Sequence, residues 1–222
     1  MRRYLLLFGA LLVEACAAHR PEYRLDDRVA PQASGAYAIR VAVGSFEDIR
    51  DPDDVPPVAL TGCQSAQVSL AKGALEETVA RYLQHAGVFG HVEMVEAALG
   101  TPTQLPQLKA AGFDALLLGK LTQYQGSYCT PESSLLDVVF FPISIVYKLA
   151  WQPRLHVGIT ELVDVTLLDT RTGRVLWSGQ ASEKVTETYG GLGRAQVADK
   201  SLQQAVSSLA DQLKLRALVT QP

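Results

Sequence analysis

Side chains able to carry redox or metal chemistry are few in this 222-residue chain, which has three cysteines and four histidines. Cys63 and Cys129 are far apart in sequence. In an oxidising compartment two such cysteines read first as a disulfide. That bond would stabilise the fold by about 4 kcal/mol on the chain-entropy picture, and two buried free thiols are the alternative. The histidines, His19, His85, His91 and His156, are scattered. His85 and His91 lack the i, i+4 spacing of a helical metal pair, and neither HExxH nor CxxC occurs. No GxSxG elbow offers a nucleophile. Tyr189-Gly-Gly-Leu-Gly193 is glycine-rich but lacks the Lys-Ser/Thr of a phosphate-binding loop, so it reads as the entry to a helix. The acidic stretch EDIRDPDDVPP (47–57) has neither EF-hand spacing nor tolerance for its prolines, and reads as a solvated loop. The expectation is a chain that is not an enzyme, with no metal and no diffusible cofactor.

Cys16 stands apart from the other two cysteines. Arg2 and Arg3 form a positive start, Tyr4 to Val13 is an uncharged run of ten residues, and Ala15 immediately precedes Cys16. That order is a secretory leader. Ten apolar residues are too few for a bilayer core, which takes about twenty. Val13-Glu14-Ala15-Cys16 resembles a lipobox, with Glu14 departing from its usual small or uncharged residue. The expectation is removal of 1–15 and a covalent lipid on Cys16, where two or more acyl chains give stable membrane anchoring. Loss of Arg2, Arg3 and Glu14 takes the formal charge from −3 to −4. A mildly acidic chain without a Lys/Arg cluster is no nucleic-acid binder.

The elements that would carry a site follow from periodicity. Residues 16–36 mix charge with Pro, Ser and Gly, a tether whose twenty residues after Cys16 reach roughly 65 Å when extended. Tyr37, Ile39, Val41 and Val43 alternate as a strand. From Ser65 the spacing of Val68, Ala71, Leu75, Val79, Tyr82 and Ala86 predicts a helix closed by Gly87. VFGHVEMVE predicts a short strand, Thr101 to Ala111 a helix ended by Gly112, and Phe113 to Tyr124 a central strand. His156 to Asp169 predicts a strand with Val157, Ile159, Val163, Val165 and Leu167 on one face. Asp169 to Gly173 is a turn, and Val175, Trp177, Ala181 and Val185 alternate on the returning strand. Arg194 to Leu215 predicts a helix burying Ala198, Leu202, Ala205, Leu209 and Leu213. The expected fold is one α/β (α+β) domain over 37–216, followed by a tail over 217–222. Its single sheet has about four to five strands with helices packed on it, in the order β-α-β-α-β-β-α.

One segment does not fit that sheet. Residues 133–151 (SSLLDVVFFPISIVYKLAW) contain an uncharged ten-residue core, Val138 to Tyr147, bracketed by Asp137 and Lys148. It is too short to span a bilayer as a helix, and Pro142 interrupts it. Three readings stay open: a buried loop, an excursion into the leaflet, or a subunit contact. Exposed, it would bind through Phe140, Phe141, Ile143, Ile145 and Trp151.

AIRVAVGSF, GFDALLLGKLTQY and VDVTLLDTRTGRVLWSG, in that order behind a lipobox, span most of 37–186. This arrangement resembles a group of envelope lipoproteins: the curli secretion-channel lipoproteins, the Pel-polysaccharide lipoprotein and the lipoprotein activators of penicillin-binding proteins. The resemblance implies a small non-catalytic domain that binds envelope proteins or self-assembles into rings. A pore of the curli type would need two membrane hairpins, and no second candidate is present. Ala17, after the cysteine, implies by the same resemblance delivery to the periplasmic face of the outer membrane. The expectation is therefore an assembly or scaffolding subunit, with an auxiliary lipoprotein of lipid or solute transport as the alternative.

Overall fold

The computed structural model describes residues 37–51, 63–129, 155–188 and 193–220, the last four without their side chains. The longest apolar alternations become the longest strands. In chain order the elements are β1 (Tyr37–Asp48), β2 (Cys63–Gln67), α1 (Ala74–His85), β3 (Phe89–Met94), α2 (Leu105–Ala110, entered through a 3-10 turn), β4 (Ala115–Cys129), β5 (Leu155–Asp169), β6 (Val175–Thr188) and α3 (Arg194–Thr220). One sheet runs β3-β1-β4-β5-β6, with β2 also on β4. β1 lies parallel to β3 and β4, whereas β2, β4, β5 and β6 pair antiparallel. The α/β class, the central β4 and the β5–β6 hairpin are as expected. Gly87 and Gly112 follow α1 and α2 with φ of 61° and 85°, the left-handed geometry in which a glycine ends a helix.

The sixth strand is a correction. The helix expected from Ser65 starts at Ala74, and Cys63–Gln67 is β2. The reason lies in β4. β1 pairs with β4 only as far as Leu121, which leaves the edge from Gln125 to Cys129 open for β2. Backbone pairing there, with a Ser65–Ser127 hydroxyl contact of 2.8 Å, outweighs the weak local preference for helix. The acidic loop is also shorter than expected, because Glu47 and Asp48 pair with Lys120 and Leu121.

A second correction concerns β5, whose apolar residues do not share one face. The register slips between Leu162 and Val165 against β6, and across the same stretch against β4. Asp164, at the slip, has φ 51°. An extra residue in one strand reverses the facing of everything beyond it. Leu162, Val165 and Leu167 therefore enter the main core, while Val157 joins a separate cluster with Cys129.

α1 and α3 cover one face of the sheet, and Ala198, Leu202, Ala205, Leu209 and Leu213 of α3 are buried as expected. α3 comes unusually close. Gly126 and Gly158 are paired across β4 and β5, and a Cβ on either would overlap the backbone carbonyl of Arg194 or Val197. Leu108 of α2 closes a smaller core on the opposite face with Ala42, Phe113 and Leu116.

Candidate apolar groove

The register of β1 opens a recess at one end of the sheet. Its first pair with β4 is Val41 with Ala115, so Tyr37 and Ile39 project beyond the start of β4 on the helix-covered face. Phe89 of β3, Leu167 of β5, Val175 to Ser178 of β6, and Leu213 and Arg216 of α3 complete a groove of about 680 Å³. Its floor is rigid. Phe89, Trp177 and Leu213 are buried, Tyr37 and Phe89 pack with ring centres 5.9 Å apart, and the Tyr37 hydroxyl donates to the Leu213 carbonyl at 3.3 Å. Gly179 leaves the space in which the Trp177 indole lies. The rim is apolar and open, with Val175 59 % and Leu176 49 % exposed, and Leu215 nearby on α3 64 % exposed. Burial pushes the Tyr37 phenol up, and the positive charge of Arg216 partly offsets this. Arg216 is the only charged side chain lining the groove among the described residues.

A second recess, of about 350 Å³, lies beyond the ends of β1 and β3 against the start of α1. Parallel strands often hold ligands at such ends. Here two of the three lining carboxylates are occupied structurally. Glu76 accepts the Phe46 backbone N–H at 3.0 Å, and Asp48 is bound by Arg50 at 2.6 Å. The Arg50 guanidinium holds the Asp48 carboxyl below its usual range.

The buried polar groups likewise tie elements together. Tyr124 is fully buried and donates to the Asp199 carboxylate on α3, and Thr160 contacts Ser201 at 2.7 Å. Arg50 donates to the Val68 carbonyl at 2.7 Å and stands 5.9 Å from the centre of the Tyr124 ring. A tyrosine with no exposed surface meets no substrate, so this network joins α3 to the sheet and carries no chemistry.

The residues singled out in the sequence fall in different places. Cys16, Phe140, Phe141, Ile143, Ile145 and Trp151 lie outside the described residues, as does His19. Cys63 and Cys129 stand opposite each other in the β2–β4 register with their sulfurs at bonding distance, a geometry compatible with a disulfide. His85 ends α1, His91 lies 3.4 Å from Glu93 on the surface, and buried His156 packs edge-on against Tyr128 at 5.3 Å. Among the described residues no cluster of three metal-ligating side chains forms, and no helix is long and apolar enough to cross a membrane. The groove escaped the sequence reading. Its one local signal is Val175-Leu176-Trp177, three apolar residues in succession where a half-exposed strand should alternate.

No protein-family model and no curated protein sequence matches the chain. Among solved structures, the PelC dodecamer from Paraburkholderia phytofirmans is 16 % identical, with TM-score 0.40, covering 82 % of this chain and 93 % of that one. Protein XCC0632 from Xanthomonas campestris is 19 % identical, with TM-score 0.46, covering 90 % and 93 %. The LpoB C-terminal domain from Salmonella enterica is 13 % identical, with TM-score 0.33, covering 69 % and 86 %. Of these, PelC and LpoB are of the envelope-lipoprotein types that the sequence resembles.

Proposed function

We propose that the chain is a non-catalytic assembly subunit of the bacterial envelope, held by a lipid on Cys16 to the periplasmic face of the outer membrane. The observation that carries this is the outer edge of the sheet. β6 is a 14-residue edge strand among the described residues, and its first eight residues, Val175 to Ser182, carry no charge. Natural edges are usually blunted by charge. Here charge begins only at Glu183 and Lys184, while Val175 and Leu176 stay exposed. Such an edge suits pairing with a partner or a second copy. A photoreactive residue at Ser178 should crosslink to an envelope protein in cells, and Leu176→Lys should abolish the product; identical crosslinking with and without Leu176→Lys would refute the assignment of this edge. Anchoring is tested separately. Cys16→Ala should leave the protein unprocessed or unlipidated by mass spectrometry, and an unchanged lipid mass would refute the anchor.

The second reading, an auxiliary subunit of lipid transport, is favoured by the groove at Tyr37. Its walls are mostly apolar, and the charge that lines it among the described residues is positive.

A further inference from the structure

We propose that the recess beyond the ends of β1 and β3 binds a small zwitterion with an apolar body. Its carboxylate lies at Lys72 and its ammonium at Glu96, the chemistry of an apolar amino acid or of a short peptide with both ends free. The inference stands apart from the β6 edge and from the groove at Tyr37, with which this recess shares no lining residue. Topology makes the recess. β1 pairs with β3 only as far as Val43 and Met94, yet runs on along β4 to Asp48. The connection from β1 to β3 passes through α1 on one face of the sheet, and that from β3 to β4 through α2 on the other. Open sheets hold ligands where connections part in this way, outside the carboxyl ends of the strands. The volume, about 350 Å³, suits a small molecule, and the buried side chains of Phe46, Leu75 and Leu121 supply a hydrocarbon floor.

Charge then selects among apolar ligands. Glu76 and Asp48 are engaged by the Phe46 N–H and by Arg50, so Glu96 is the lining carboxylate left for a ligand and Lys72 is the lining cation. Neither side chain has an ion pair or hydrogen bond among the described residues. They stand on different walls, Lys72 before α1 and Glu96 after β3, and each wall is a short hydrogen-bonded turn. The Ala74 N–H donates to the Ala71 carbonyl at 3.0 Å around Lys72 and Gly73, whose φ is 77°. The Glu96 carbonyl accepts from the Leu99 and Gly100 N–H groups at 2.8 and 2.9 Å. The Gly100 carbonyl in turn accepts from the Ser45 N–H at 3.1 Å, which ties that turn to β1. Backbone fixed in advance leaves less to be ordered on binding. A ligand with one charge meets one of the two side chains, whereas a zwitterion meets both.

The test uses the full-length protein in nanodiscs and saturation-transfer NMR at millimolar ligand, with leucine and leucyl-leucine as probes. Transfer to leucine identifies a free amino acid as the ligand, and transfer to leucyl-leucine alone identifies a peptide. Removing the carboxylate of the bound probe as its amide, or the ammonium as its N-acetyl form, should weaken binding about fivefold, the scale of one exposed ion pair. The charge reversals should then exchange these preferences. Lys72→Glu should bind the amide better than the parent does, and Glu96→Lys should bind the N-acetyl form better; a variant that merely fails to fold gains neither. Both side chains are exposed, so both variants should melt with the parent. Absence of transfer to both probes would overturn the proposal. So would equal binding of the uncharged N-acetyl amide, or reversals that leave the preferences unchanged.

Discussion

Tyr124 sits in β4 with its hydroxyl on the Asp199 carboxylate, and both side chains are buried. Burial, then the negative charge of Asp199, holds the phenol well above its ordinary value of 10.0. The sign of the pH effect follows. The unfolded phenol ionises first, so the contribution to stability is complete below about pH 10 and is lost as pH rises through and beyond it. Tyr124→Phe should cost about 1–3 kcal/mol at neutral pH through loss of this buried hydrogen bond. Urea unfolding followed from about pH 8 to pH 11 should fall less steeply for Tyr124→Phe than for the parent. Equal slopes would show that the phenol is not what the alkaline transition reports. At this scale the sequence was only partly legible. Counting alone set Cys63 against Cys129, which face each other across β2 and β4. The role of Tyr124 was hidden, because its partner lies 75 residues away on another element.

α3 was legible in advance as an amphipathic face, since helical periodicity is a local property and one side of the helix packs on the sheet. The closeness of that packing was not. It depends on Gly126 and Gly158 meeting across two strands beneath the first turns of the helix. Gly158→Ala places a methyl group against the Val197 carbonyl and should destabilise by about 3 kcal/mol, at the upper end for overpacked cores. A thermal melt that shifts by less than a degree would refute the close approach. β2 and the slip at Asp164 were illegible for related reasons. Cys63–Gln67 has little strand character of its own and pairs because β4 outruns β1. In β5, Val163 and Val165 preserve the apolar alternation straight through the slip, so the pattern gives no sign that the facing changes.

Viewed whole, the described sheet has two dissimilar ends. At one lies the groove, beside the residue where the segment from Cys16 enters β1. At the other, Cys63 and Cys129 face each other where β2 begins and β4 ends. A bond between them would close a 66-residue separation and stabilise the fold by about 4 kcal/mol in the chain-entropy model. Cys63→Ser should therefore lower the urea midpoint markedly. Thiol alkylation under denaturing, non-reducing conditions should leave Cys63 and Cys129 of the parent unmodified; ready labelling of both would mean that no bond forms. The sequence by itself determined the α/β class, the hairpin, the buried face of α3 and the glycines that end the first two helices, because each follows from neighbours within a few turns or a single strand. Its leader and Cys16 remain readings of sequence alone. Tertiary structure decided the second strand, the reversed facing within β5 and the groove at Tyr37. Each of these depends on which strand edge outlasts its neighbour and on what space remains between elements distant in the chain, and no local pattern encodes that.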